Sequence, residues 1–121
     1  MILVTGGMAQ GKLDYAMSRL GVTDYDDGVV GDTDCIYNLQ KAVMNEDFDS
    51  RLDEYIMLHP HCVIICDEIG SGIVPLRRED REWREKTGRV CCELANQADA
   101  VYRVFCGICL LYTSDAADEL D

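Results

Sequence analysis

The first twelve positions of this 121-residue chain hold three glycines and a lysine at a spacing suited to phosphate. Gly6, Gly7, Gly11 and Lys12 follow the β-prone run Ile2, Leu3, Val4, Thr5, so the order is strand, glycine loop, lysine. This nearly spells G-x-x-x-x-G-K-[ST], a loop whose backbone N–H groups cradle phosphate oxygens while its lysine neutralises the outer ones. Glycine allows the tight turn that aims successive N–H groups at one anion, and the helix that follows adds the positive end of its dipole. On this reading Gly6, Gly7, Met8, Ala9, Gln10, Gly11, Lys12 and Leu13 bind the nucleotide, ATP or GTP. Leu13 is the departure, standing where a Ser or Thr hydroxyl would reach Mg²⁺. The pattern favours a phosphate site over a plain strand–turn–helix, with metal binding weakened from this side.

A second candidate lies at Asp67-Glu68, directly after the apolar run Cys62, Val63, Ile64, Ile65, Cys66. Such a run is what a strand buried on both faces looks like. The acids stand at its C-terminal end, where open α/β sheets place ligands. P-loop enzymes hold Mg²⁺ with an acid in this position, so Asp67 is the candidate Mg²⁺ ligand, and Lys12, Asp67 and Glu68 are the candidate catalytic residues. The competing reading is an ordinary strand that ends in solvated acids.

The third concentration is basic. Arg77, Arg78, Arg81, Arg84, Lys86 and Arg89 lie within thirteen positions of a chain whose formal net charge is −12. They would face an anionic ligand, or form a solvated helix face paired at i,i+4 with Glu79, Glu82, Glu85 and Glu93. Both readings stay open. The overall acidity argues against nonspecific nucleic-acid binding.

The elements that would carry these residues follow from hydrophobic periodicity. Leu13, Ala16, Met17 and Leu20 predict a helix over 12–20, closed by Gly21 as a left-handed cap. Residues 22–27 read as a loop and Val29-Val30 as a short strand. Asp32-Thr33-Asp34 resembles a helix start, with Ile36, Leu39 and Val43 as its apolar stripe. A helix over 50–58 turns Leu52, Tyr55 and Ile56 inward. Gly70-Ser71-Gly72 is a turn and Ile73-Val74-Pro75 is extended. A long helix from 77 or 80 to 97 buries Trp83, Thr87, Val90, Cys91, Leu94 and Ala98, with Gly88 inside it suggesting close packing. Residues 101–105 form the last strand, closed by Gly107. The alternation predicts an α/β fold, a P-loop NTPase-like three-layer sandwich with a mostly parallel central sheet.

Length suggests one domain. The seven cysteines lie mostly in apolar runs, as reduced cysteine does, and lack zinc-type paired spacings. No apolar run reaches membrane-spanning length and no basic leader precedes the first strand, so a cytoplasmic protein is expected.

Three later blocks carry a resemblance: EIGSGIVP, REWREKTGR and LANQADAVYRV, with CGI following. Together with MILVTGG and Gly11-Lys12 they resemble the bifunctional adenosylcobinamide kinase / adenosylcobinamide-phosphate guanylyltransferases of cobalamin assembly. Glu68, Ile69, Gly70, Gly72, Ile73, Val74 and Pro75 match the first block. Arg81, Trp83, Arg84, Gly88, Arg89, Leu94 and Ala95 match the second, and Ala98, Asp99 and Val101 the third. No match is legible over 22–61.

The resemblance implies a P-loop-like fold, often a homo-oligomer (a trimer), with nucleotide and corrinoid ligands. It implies phosphorylation of the adenosylcobinamide hydroxyl, then GMP transfer through a covalent histidine. It also implies that Gly70, Gly72, Arg81, Arg84 and Arg89 support substrate or phosphate. The family's histidine sits in a basic helix. Here the centre is short and acidic, and the two histidines, His59 and His61, read as surface-loop residues. The kinase step is therefore favoured over guanylyl transfer. The alternative is a non-catalytic nucleotide- or corrinoid-binding module of the same family.

The end of the chain reads differently. CLLYTSDAADE, from Cys109 to Glu119, back-translates in frame to the end of a transposon sequencing adapter. The expectation is a single domain over 1–108 and a non-native tail over 109–121.

Overall fold

Residues 1–68 and 77–112 are described in the computed structural model. The turn expected at Gly70-Ser71-Gly72, the extended run expected at Ile73-Val74-Pro75 and the tail beyond Tyr112 lie outside them.

Among the described residues six strands make one sheet: β1 (Ile2–Gly6), β2 (Asp26–Asp27), β3 (Cys35–Tyr37), β4 (Val63–Asp67), β5 (Ala100–Phe105) and β6 (Ile108–Tyr112). Their order is β2-β3-β4-β1-β5-β6, parallel throughout except that β6 runs antiparallel to β5. The helices are α1 (Lys12–Arg19), α2 (Phe48–Leu58) and α3 (Arg78–Gln97). Val4, Ile65 and Val104 point to one face and pack with Ala16 and Leu13 of α1. Leu3, Ile36 and Ile64 point to the other and pack with Phe48 and Leu52 of α2 and Val90 and Leu94 of α3. This is the three-layer α/β sandwich that the alternation of elements predicts. β4 is buried through Cys66, as its unbroken apolar run requires.

Register positions the site. Gly6 pairs with Asp67, and Thr5 pairs with Cys66 on one side and Arg103 on the other. Parallel pairing thus brings the glycine loop, the Asp67-Glu68 step and the end of β5 to one edge of the sheet.

Four sequence expectations are corrected. Val29-Val30 is not a strand; the pairing residues are Asp26–Asp27, Val29 is exposed and Val30 is in the core. No helix runs from Asp32 through Val43. Asp26 Oδ2 accepts from Thr33 N at 3.0 Å and from Thr33 Oγ1 at 2.8 Å, a local side-chain arrangement that competes with helix nucleation. Cys35–Tyr37 then pairs with strands on both sides, and a 3₁₀ turn over Leu39–Lys41 follows. Ile36, Leu39 and Val43 are still buried, so the stripe marks the core without marking a helix. Gly88 is not a close-packing site, since a Cβ there would meet nothing within 4 Å. β5 is not the last strand, because Gly107 at φ +77 turns the chain back into β6.

Candidate phosphate site at the strand ends

The loop between β1 and α1 is held from beneath by its own lysine. Lys12 Nζ donates to the Gly7 carbonyl at 2.6 Å and pairs with Asp67 Oδ1 at 2.7 Å. Lys12 is only 4% exposed, so this is a buried cation with two defined partners. Gly6 sits at φ +149, and a Cβ there would collide with the Val104 carbonyl oxygen of β5. Glycine is therefore the residue this step of the sheet accepts. Ala9 at φ +59 and Gly11 at φ +90 give the loop its remaining left-handed turns.

Asp67 is clamped on its other side by Gln40, which is 5% exposed. Gln40 Nε2 donates to Asp67 Oδ2 at 3.1 Å, and the Asp67 backbone N–H donates to Gln40 Oε1 at 3.0 Å. Gln40 Nε2 also reaches Asn38 Oδ1 at 3.2 Å, and Asn38 donates to Asp27 at 2.8 Å. Trp83 Nε1 of α3 donates to the Gln40 carbonyl at 2.7 Å. A polar chain thus runs from α3 through the 3₁₀ turn to the loop lysine. Burial raises the Tyr37 hydroxyl above its ordinary pKa.

Above the loop is a cleft of about 480 Å³, lined by residues 8–14 with Tyr37, Asn38, Gln40, Lys41 and Asp67. Of the loop positions named in the sequence reading, Met8 to Leu13 line it and Gly6 and Gly7 do not; Asp67 lines it as well. Glu68 does not; its carboxylate forms a two-point pair with Arg103, at 2.8 Å to Nε and 3.0 Å to the terminal nitrogen. Its backbone N–H donates to Gly6 O at 2.8 Å. The β5–β6 turn closes on the loop from the far side: Gly107 N donates to Gln10 O at 3.1 Å, and Cys106 N donates to Gln10 Oε1.

The α3 arginines are not gathered into this cleft. Arg89 lines a separate one between α2 and α3, beside Asp49, Asp53 and Glu93. Arg81 is exposed and Arg84 half-buried, on either side of Trp83 in sequence. Arg78 pairs with Glu82 at 3.0 Å, as the solvated-face reading has it. Gly70 and Gly72 lie outside the described residues. The histidines stand before β4, at the opposite end of that strand from Asp67. His59 pairs with Asp34 at 2.7 Å and stacks on Tyr55, with ring centroids 4.5 Å apart, and His61 is exposed.

Gln40, Asn38 and Arg103 are the site residues the sequence reading missed. A positive charge inside the apolar run of β5 was the available signal for Arg103. Gln40 had none, because its role depends on the 3₁₀ turn that replaced the expected helix.

The profile of the family described as cobinamide kinase / cobinamide phosphate guanyltransferase matches residues 27–111. The chain belongs to that family. A curated relative, the bifunctional adenosylcobalamin biosynthesis protein CobU of Salmonella typhimurium (strain LT2), is 37% identical over 71 residues. That alignment covers 55% of this chain and 39% of the relative, so the chain spans well under half of the protein it matches. The cobinamide kinase profile runs through 27–61, where no motif is legible by eye, and begins after the glycine loop. The loop therefore rests on its own geometry. No helix among the described residues is long and apolar enough to cross a membrane.

Proposed function

We propose that this chain is a nucleotide-dependent kinase acting on the hydroxyl of adenosylcobinamide. The observation that carries this is the buried Lys12–Asp67 pair beneath a glycine loop at the strand ends of a chain in this family. The loop N–H groups hold the phosphates of ATP or GTP. Lys12 exchanges its Gly7 carbonyl contact for a phosphate oxygen and neutralises charge as the phosphoryl group moves. Asp67 keeps Lys12 in place and, with Glu68, marks the side on which the acceptor hydroxyl is oriented. Arg81 and Arg84, on either side of the Trp83 that binds Gln40, are the cations proposed for the acceptor side, whereas Arg89 lines the separate α2–α3 cleft and is not given that role.

The residues present do not fit a resident Mg²⁺. Leu13 offers no oxygen, and both Asp67 oxygens are already engaged by Lys12 and Gln40. Mg²⁺ would enter bound to the nucleotide phosphates, and Asp67 would contact it only on releasing Lys12 or Gln40. Guanylyl transfer is not assigned to this chain, because neither histidine stands near the loop cleft.

Incubation with ATP or GTP and adenosylcobinamide tests the proposal. The expected result is a phosphorylated corrinoid by mass spectrometry, abolished in Lys12→Ala; turnover unchanged in that variant would overturn it. The satisfied state of Lys12 and Asp67, together with Leu13, favours one second reading, a binding module without turnover. Calorimetry showing tight GTP binding without Mg²⁺, and no product, would select it.

A further inference from the structure

A second cleft, of about 450 Å³, opens on the other face of the sheet, between α3 and strands β1 and β5. Its floor carries Leu3 and Val101, and its α3 wall carries Thr87, Gly88 and Cys91. The missing Gly88 side chain leaves that wall open. Thr87, one turn before Cys91, is 2% exposed, and its Oγ1 has no hydrogen-bond partner among the described residues. Behind Cys91 stands Cys66 of β4, fully buried, with the two sulfurs 3.4 Å apart. A disulfide needs about 2.05 Å, so the sulfurs must close by about 1.4 Å.

We propose that Cys66 and Cys91 are a peroxide-sensitive modification site that forms a reversible disulfide at the base of this cleft. Cys91, partly exposed and lining the cleft, is the sulfur a hydroperoxide reaches. Attack breaks the O–O bond, forms an S–O bond and releases water or an alcohol, leaving Cys91 as a sulfenic acid. The Cys66 sulfur then displaces that oxygen as water, and the S–S bond forms. Two thiols lose two electrons and two protons, and the peroxide is reduced. A dithiol reverses the step. The bond ties α3 to β4 one residue before Asp67. The proposal does not depend on the kinase reading.

The test uses the full chain with Cys92, Cys106 and Cys109 replaced by Ser, treated with hydrogen peroxide, alkylated and mapped by mass spectrometry. On alkylation under denaturing conditions, the expected result is loss of two of the four remaining thiols, those of Cys66 and Cys91, a linked Cys66–Cys91 peptide pair lighter by two hydrogens, and recovery on adding dithiothreitol. In Cys66→Ala, Cys91 should instead be trapped by dimedone as sulfenic acid. Alkylation of Cys66 and Cys91 unchanged by peroxide would overturn the proposal, as would oxidation of Cys91 beyond sulfenic acid without a linked peptide.

Discussion

Lys12 of α1 and Asp67 of β4 meet at 2.7 Å across the edge of the sheet, although they lie 55 positions apart in the chain. Lys12 is fixed by the loop and Asp67 by Gln40, so the pair joins the two sequence candidates into one structure. Its weight in the fold and its role in binding can be separated by mutation.

Lys12→Met removes the cation and leaves the Asp67 carboxylate facing Gln40 alone. Breaking one partner of a buried pair costs on the order of 3 kcal/mol. Adding Asp67→Asn removes the stranded charge, so the double variant should recover a good part of that loss. Urea unfolding of the wild type, both single variants and the double variant checks the cycle. Additive losses would show that the two groups do not act as a pair.

Leu13→Ser supplies the hydroxyl that the loop motif lacks. Leu13 is half-buried against the α1 face of the core, so the change should cost roughly 1 kcal/mol of stability. Nucleotide affinity should become more dependent on Mg²⁺ than in the wild type. Calorimetry with and without Mg²⁺ measures this directly.

Gly6→Ala and Gly11→Ala separate two demands on loop glycines. Both positions have positive φ, but a Cβ at Gly6 runs into the Val104 carbonyl, while at Gly11 the nearest atom is Gly107 Cα at 3.9 Å. Gly11→Ala should cost about 1–2 kcal/mol for the left-handed backbone alone. Gly6→Ala should cost clearly more and disturb the β1–β5 pairing. Comparison of thermal unfolding and amide exchange in β5 decides the point; equal losses would count against the steric argument.

Much of this site was legible because its parts lie next to strong local signals. The glycine spacing marks the loop, and the apolar run before Asp67 marks a central strand, whose end the pairing of Gly6 with Asp67 sets beside that loop. Gln40 was illegible because the apolar spacing of Ile36, Leu39 and Val43 fits a helix as well as it fits a strand followed by a 3₁₀ turn. Only parallel pairing of Cys35–Tyr37 with β4, a contact distant in sequence, decides between them. Gly88 was misread for a related reason: a glycine inside a helix signals either close packing or open space, and here it borders a cleft.

Cys35 and Cys62 couple the fold to alkaline pH. Burial pushes the Cys35 thiol up to about 12 and the Cys62 thiol up to about 11. Both are protonated in folded and unfolded chains below the ordinary thiol range, so their contribution is intact there. Above that range the unfolded chain loses the protons first. Stability should then fall by about 1.4 kcal/mol per pH unit for each thiol until the folded value is reached. Urea unfolding between neutral pH and pH 11 reads the slope, and Cys35→Ala with Cys62→Ala should make it shallower, the buried Cys66 and Tyr55 keeping part of it.

Gln40 offers the sharpest test of how Asp67 is held. Gln40→Leu leaves the Asp67 N–H and Oδ2 without their protein partner. Hydrogen bonds to a charged group contribute about 1.5–3 kcal/mol each, so a loss on the order of 3 kcal/mol is expected. Gln40→Glu keeps the shape but sets a second carboxyl against Asp67. Like charge and burial raise the new carboxyl's pKa in the fold above its unfolded value. Stability from such a group is present below the unfolded value and lost as pH rises through the folded one. This variant should therefore be closer to wild type near pH 4 than at pH 8, whereas Gln40→Leu should show no such dependence relative to wild type. Parallel pH profiles of the two variants would show that Gln40 acts only by filling space.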